Sequence, residues 1–575
     1  MEVIEVFLSK EENDAFFARI PYSLLNKIHK IGGKWVQGKK VWRFPMDFEL
    51  WNEFEECFKD YEIKKDLAFI IAMNNRRKRQ NAFLEAKKIA EQDAPSDFGV
   101  EGVSLDGKNC LFNYQRHGVK CGLQVGDGFL IGDVPGLGKS IQSIAIAVER
   151  KNRGEINSCL IVCPASLKYN WLDEIHKFTK ETALVIGHKT KNKEEREKQW
   201  IATGYFFKIV NYELLARDLY VEPKKQDNRI SSANAVLKSF DMSIFDECQY
   251  LKHHSSIRTQ ACRSLQTKYR IGLSGTPIDG KLEEIHSIFQ ILKPGLFVNK
   301  TKFMERYAEY DYFGSVKGYH RVNEVRDKIE PYYLRRLKEV VFKDLPPKIF
   351  KDLHVELSDK NMRDYKKIIK GKSDITAEAS AAELVIRARQ FLDFPEIIGL
   401  HNSSDKYKVF RELMDDLVME NNEKTIVFTQ YTNSIKYLVK NLKADGYKHI
   451  LIIDGSVDSE ERQEICKKFN NEDKPFILIM SDAGCTGLNL QTAKNVVHYT
   501  DNFSPAVMQQ RNDRAHRATT KHTVVIYRFI CDETIDEHVR NILGQKMAIN
   551  NAMLDEHCSE FSIGDMSALE LMSCL

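Results

Sequence analysis

Between Phe129 and Ala147 the period of the hydrophobic pattern changes. Phe129 to Ile131 is an unbroken apolar run, GDVPGLGKS breaks it with a glycine-rich turn, and Ile141 to Ala147 continues as a helix. Apolar strands ending in small or acidic residues recur at SIFDECQY, Ser243 to Tyr250, and at LSGTP, Leu273 to Pro277. From about Leu105 to Leu292 strands and helices alternate as in a parallel α/β sheet. Lys293 to Pro346 is rich in tyrosine and charge and reads as mostly helical; alternation then resumes, with Ile535 to Leu554 as a long helix near the end. Residues 1 to 62 follow another rhythm: short strands and helices, with GGKWVQGKKVWRF as a hairpin around Gly38. Asp66 to Asp93 reads as one helix that stops before Pro95. These shifts divide the chain into a small α+β unit (1–62), a helical linker (63–104), a first α/β lobe (105–292), a helical insertion (293–346) and a second lobe (347–575).

The strand-turn-helix at Gly136-Leu137-Gly138-Lys139-Ser140 carries the first chemistry. Such a turn points backbone N–H groups at an anion on the positive end of the helix dipole. Lys139 adds a charge for the outer phosphates, and the Ser140 hydroxyl is suited to Mg²⁺. The strict pattern wants glycine where Asp133 stands. Asp246 and Glu247 close the second strand, where α/β sheets place catalytic groups. Asp246 is the candidate Mg²⁺ ligand and Glu247 the group that orients attacking water. Far downstream, QRNDRAHR puts Arg514 and Arg517 three apart, on one helix face. Phosphoryl transfer uses such arginines to neutralise transition-state charge.

In order, LFNYQRHGV, GDVPGLGKS, LIVCPASLKYNW, IVNYELL, FDECQYLKH, LSGTPI, PYYLRRLKEVVFKDLPPK, TIVFTQY, IDGSVDSEERQEICKKF, MSDAGCTGLNLQTAKNVVHY and DRAHR resemble the motifs of SWI/SNF-type superfamily-two DNA translocases, from about Leu111 to Leu554. The resemblance implies an α/β fold of two RecA-like lobes with a helical insertion and a C-terminal brace, and a DNA-dependent ATPase using ATP and Mg²⁺. It implies adenine contact at Gln115, a further nucleotide contact at Gly487, and DNA strand contacts at Ser166, Lys168, Asn211, Gly455, Ser456 and Gly484. Asp133 is usual in that family. Val134-Pro135 replaces its Glu-Met pair, and Gln249 its histidine. Proline costs the loop one N–H donor, whereas a glutamine amide still donates and accepts. The first 62 residues resemble the HARP-type substrate-recognition domain of annealing helicases, with Trp35, Trp42, Phe44, Lys34, Lys39 and Lys40 as the aromatic and basic set.

The expected activity is ATP-dependent translocation on double-stranded DNA that remodels or anneals branched or forked DNA. The rival readings are a translocase that displaces bound proteins or serves a restriction or defence system, and a strand-separating helicase. A non-enzymatic scaffold would tolerate loss of Lys139, Asp246, Glu247 or an arginine, and all are present.

Composition sets limits. At 575 residues the chain is too long for one core, and its 43% apolar and 29% charged content is that of a globular protein. Its 86 basic and 82 acidic residues nearly cancel, so any DNA groove must arise from local clustering. The basic run Arg76-Arg77-Lys78-Arg79 reads first as a solvated helix face. Twelve scattered cysteines without a C-x-x-C pair favour neither zinc nor disulfides. MEVIEVFLSK does not read as a signal peptide, and no apolar run reaches the roughly 18 residues of a membrane span. An intracellular, DNA-associated monomer is expected: in bacterial or virus-infected cytoplasm, or in a nucleus.

Overall fold

The structure, a computed structural model, describes residues 3–562 except 10–11, 22–23, 25–26, 29–33, 37–39, 46–47, 75–98, 106–109, 189, 191, 220–239, 313, 315, 343–344, 372–378, 483–487, 518–519 and 555–560. The sequence-predicted continuation of the Asp66 helix past residue 74, its basic run, and Lys39, Gly484 and Gly487 lie outside the described residues.

The N-terminal unit is a five-stranded sheet: β1 (Val3–Ser9), β2 (Glu12–Arg19), β3 (Lys34–Val36), β4 (Val41–Pro45) and β5 (Glu62–Lys65), in the order β3-β4-β2-β1-β5. β3 and β4 form the expected hairpin, with Trp35 opposite Trp42. β5 runs parallel to β1 and completes the sheet past residue 62. Helix Phe48–Cys57 brings Trp51 and Phe54 onto Phe16, Trp42 and Phe44. Two of the candidate DNA aromatics, Trp42 and Phe44, are therefore core residues, whereas Trp35 is exposed. Glu53 on that helix meets Arg321 at 2.6 Å and Arg306 at 3.6 Å, joining the unit to the segment after the first lobe.

The first lobe contains β6 (Gly128–Ile131), β7 (Cys159–Cys163), β8 (Ala183–Val185), β9 (Phe207–Asn211), β10 (Met242–Asp246) and β11 (Tyr269–Leu273). β6, β7, β9 and β10 are buried along their whole length, as strands covered on both faces must be. The insertion is less helical than its composition suggests. Beside helices Lys300–Tyr307 and Val322–Ile329 it holds a hairpin of β12 (Ala308–Tyr310) and β13 (Val316–Tyr319), and a two-residue strand β14 (Tyr333–Leu334). β14 pairs in parallel with β6, giving the first-lobe order β14-β6-β11-β10-β7-β9-β8. The apolar Tyr333 and Leu334 are buried by covering the edge strand of the lobe that holds the phosphate loop.

The second lobe is a parallel sheet of β15 (Lys348–Val355), β16 (Thr425–Phe428), β17 (Ile450–Ile453), β18 (Ile477–Met480), β19 (Asn495–His498) and β20 (Val524–Cys531), ordered β15-β20-β19-β16-β18-β17. Helix Ile535–Leu554 buries Ile535, Val539 and Leu543 in this lobe. Its far end crosses to the first: Asn550 accepts from the Gly280 N–H at 3.2 Å, while Lys546 donates to the Phe503 carbonyl at 3.0 Å. A short β21 (Phe561–Ser562) then pairs with β13. Among the described residues no helix is long and apolar enough to cross a membrane.

Candidate active site

β6 delivers the chain into the turn 132–138, and helix Lys139–Asn152 leaves it. Gly136 (φ +94°) and Gly138 (φ +72°) take left-handed conformations that L-residues adopt at a cost. A Cβ on Gly138 would also lie 2.4 Å from the Gln115 amide nitrogen. Lys139 Nζ donates to the Asp133 carbonyl at 2.9 Å, folded back over the loop. The Gly132, Val134 and Leu137 N–H groups bond the Leu334, Arg336 and Val134 carbonyls, the last at 3.4 Å, which points to Gly136, Gly138, Lys139 and Ser140 as the loop's anion donors. The Pro135 ring fills the space beside Gly275: a Cβ there would come within 2.7 Å of it. The proline that removes a donor thus packs the phosphate loop against the LSGTP turn.

Asp133 is completely buried and accepts from Arg336 Nε at 3.0 Å, Arg336 Nη2 at 2.5 Å and Gln142 Nε2 at 3.1 Å. Its replacement of glycine is explained by that guanidinium: the loop is locked to the segment after β14. Gln115 sits under the loop, its amide donating to the Leu137 carbonyl at 3.2 Å while its Oε1 accepts from the Phe112 N–H. Contact with a base would exchange bonds already made to protein.

Asp246 ends β10 and Glu247 follows with φ +49°, a left-handed conformation unusual for a glutamate and typical of strained functional turns. Asp246 accepts from the Trp171 indole at 2.7 Å and the Glu247 N–H at 3.0 Å. Burial, and then the charge of Glu247, push its carboxyl up to about 7, against the pull of Trp171 and Lys139. Glu174, on helix Lys168–Phe178, is raised by burial as well and hydrogen-bonds Ser140. Among the described residues no three His, Cys, Asp or Glu side chains cluster as a metal cage, so a hard divalent cation here would rely on Ser140 and Asp246 together with phosphate oxygens. Glu174 went unnoticed in the sequence because nothing local marks it; only helix packing brings it to Ser140. Gln249 donates to Glu247 Oε2 at 2.7 Å and accepts from the Ser274 hydroxyl at 2.7 Å. It therefore links the acidic turn to LSGTP.

Arg514 and Arg517 do not share a helix face. The helix is Pro505–Asn512, and the chain then makes successive turns in which the Arg514 N–H donates to the Arg511 carbonyl and the His516 N–H to the Asn512 carbonyl. The side chains nevertheless converge: both donate to the Leu488 carbonyl, at 3.2 and 2.6 Å. Both Nε atoms are buried without a partner. Burial, and then Arg514, lower the Arg517 pKa to about 10. Two desolvated cations on one carbonyl make a site short of negative charge.

Ser166 and Lys168 follow β7, and Asn211 ends the adjacent β9, paired with Cys163. Gly455 and Ser456 follow β17 and are exposed. These candidates line the C-terminal strand edges of the two sheets. Asn211 is buried and donates to Glu213, Lys168 is half-buried, and Lys40 is exposed in a turn at φ +51°.

Two parallel sheets, one carrying a phosphate loop and acidic turn and the other a pair of buried arginines, define a two-lobed nucleotide-dependent motor. The chain belongs to the SNF2-related family: the SNF2-related domain matches residues 5–398 and the helicase conserved C-terminal domain residues 405–519. An uncharacterized ATP-dependent helicase of Mycoplasma pneumoniae is 30% identical over 493 residues, covering 83% of this chain and 45% of the relative. A second, from Mycoplasma genitalium, is 30% identical over 475 residues, covering 80% and 44%. The SWI2/SNF2 ATPase core of Sulfolobus solfataricus, solved in complex with dsDNA, is 24% identical and covers 80% of this chain and 95% of its own, with a TM-score of 0.37. The chain spans about half the length of the Mycoplasma relatives.

Proposed function

We propose that this chain is a DNA-dependent ATPase that translocates along double-stranded DNA. The observation that carries the reading is the meeting of the lobes at the phosphate loop. Lys338 lies against Gly136 and bonds Asp513, the residue before Arg514. The arginine turn of the second lobe is thereby held beside the loop of the first.

ATP would lie with its phosphates on the N–H groups of Gly136, Gly138, Lys139 and Ser140, and on that of Leu137 once it leaves the Val134 carbonyl, with adenine toward Gln115. Lys139 exchanges the Asp133 carbonyl for phosphate. Ser140 and Asp246 would hold Mg²⁺, which supplies charge neutralisation on the phosphate oxygens. Glu247, held by Gln249, orients the attacking water. Arg514 and Arg517 leave the Leu488 carbonyl for the γ-phosphoryl group, where such arginines are worth about a thousandfold or more in rate. Ser166, Lys168, Asn211, Gly455 and Ser456, with Gly484 beyond the described residues, would grip one DNA strand through phosphates without reading bases. Cycles of closure and release move the grip along the duplex.

Trp35 on β3 and Lys40 in the turn before β4, both exposed, support a finer reading, in which the N-terminal unit steers a monomeric motor toward branched or forked DNA, as in annealing helicases. The test is ATPase activity against duplex, single-stranded and forked DNA, with Lys139→Ala as control. Stimulation by duplex that vanishes in the variant is expected. Hydrolysis indifferent to DNA, or surviving in Lys139→Ala, would sink the assignment.

A further inference from the structure

The short helix Lys338–Val341 lies between the lobes, and its first residue is 1% exposed. A lysine so deep must have its charge answered, and two acceptors answer it, both from the second lobe. Lys338 Nζ donates to Asp513 Oδ1 at 2.6 Å and to the His516 carbonyl at 2.6 Å. A Cβ built on Gly136 would lie 3.5 Å from Lys338 Cε and 3.9 Å from Nζ, so the side chain rests on the exposed turn of the phosphate loop.

The second-lobe partner is the turn that carries both arginines. Asp513 and His516 bracket Arg514, and Arg517 follows directly. The His516 ring bonds the Pro346 carbonyl at 2.7 Å, so Lys338 and Pro346 hold this turn at two points. Helix Pro505–Asn512 ends before the arginines, which lie in the turns that follow it. On the first-lobe side the segment is anchored by β14 and by Arg336 on Asp133. One stretch of chain thus touches the phosphate loop with one residue and the arginine turn with the same residue.

We propose that Lys338 is a positioning residue for phosphoryl transfer: through Asp513 and the His516 carbonyl it sets the turn bearing Arg514 and Arg517, and through Gly136 it registers that turn on the phosphate loop. The inference rests on the ATPase reading above. Lys338 acts through the arginines. Removing it lowers turnover rather than nucleotide affinity, since the arginines matter most in the closed transition state.

The test uses the full chain with duplex DNA. Lys338→Met alone would strand a buried carboxylate, so it is paired with Asp513→Asn, which replaces the ion pair by a neutral pair of similar volume. Steady-state kcat, equilibrium binding of a fluorescent ATP analogue and thermal unfolding are measured together. The expected result is a kcat lower by about thirtyfold with analogue affinity within about threefold of wild type. In an Arg514→Ala/Arg517→Ala background the same pair should change kcat by less than about twofold, because the clamp has nothing left to position. Asp513→Asn alone, which keeps an acceptor for Lys338, is the second variant should the pair not fold; it should lower kcat and spare affinity. Wild-type kcat in a folded variant, a loss of affinity matching the loss of rate, or a full additional loss in the arginine-free background would each overturn the proposal. Failure of the ATPase reading is distinguishable: the wild-type chain would then show no duplex-stimulated hydrolysis at all.

Discussion

Arg336 closes a two-pronged ion pair on the fully buried Asp133, with Nε 3.0 Å from one carboxylate oxygen and Nη2 2.5 Å from the other. Arg336 also donates to the Tyr114 carbonyl and to Gln142 Oε1. Arg336→Ala leaves Asp133 charged, buried and short of partners. Urea unfolding should report a loss of about 3 kcal/mol, the usual scale for breaking one side of a buried pair. Asp133→Asn/Arg336→Met should recover much of it; a single variant as stable as wild type would refute the lock.

Gln249 joins Glu247 to Ser274 through an amide that both donates and accepts. Gln249→Ala should retain nucleotide binding while lowering duplex-stimulated kcat by about tenfold if Glu247 orients the attacking water as proposed, since that carboxylate loses its tether. ATPase rates with and without duplex DNA check this. Unchanged stimulation would show that the bridge is ornamental to coupling.

Asp246 titrates near 7 because it is buried beside Glu247. A raised carboxyl is protonated in the native chain over a range where the unfolded chain has already lost its proton. Its contribution to stability is full below the unfolded value, about 3.9, and is lost as pH rises through the folded one. Divalent-ion binding runs oppositely, because the proton competes with the ion. The Mg²⁺ concentration needed to half-saturate the stabilisation by ADP should therefore fall between pH 6 and 8 in thermal unfolding. Asp246→Asn should flatten that dependence.

Trp35 and Trp42 face each other across a hairpin with ring centroids 5.1 Å apart, yet one is 46% exposed and the other 3%. Trp42→Ala should cost the N-terminal unit about 3 kcal/mol or more, as large core deletions do. Trp35→Ala should leave unfolding nearly unchanged and weaken forked-DNA binding by one stacking contact, about 1–3 kcal/mol. Equal fork affinity in Trp35→Ala would remove the aromatic from the DNA surface.

The parts legible in the sequence are those written in local order. The buried strand before the phosphate loop, the left-handed glycines and helix Ile535–Leu554 follow from period, punctuation and composition over a few turns of chain. So does the acidic pair at the end of β10, because a strand covered on both faces must be apolar until it reaches its edge. Gln249 was recognisable as a replacement whose amide retains both hydrogen-bonding roles.

What the tertiary structure alone decided are the pairings across long separations. Arg336 reaches Asp133 over 203 residues and Lys338 reaches Asp513 over 175. No local period encodes such contacts: they exist because β14 attaches to β6 and the lobes close over it. The same packing turned Trp42 and Phe44 inward, left Trp35 outside and brought Glu174 to Ser140. It also ended the helix before Arg514, so the arginines meet through a turn rather than a shared face. Sequence spacing specifies which residues can be neighbours within one element. Which elements lie against one another depends on burying apolar surface and answering every buried charge, and that is settled by the whole chain at once.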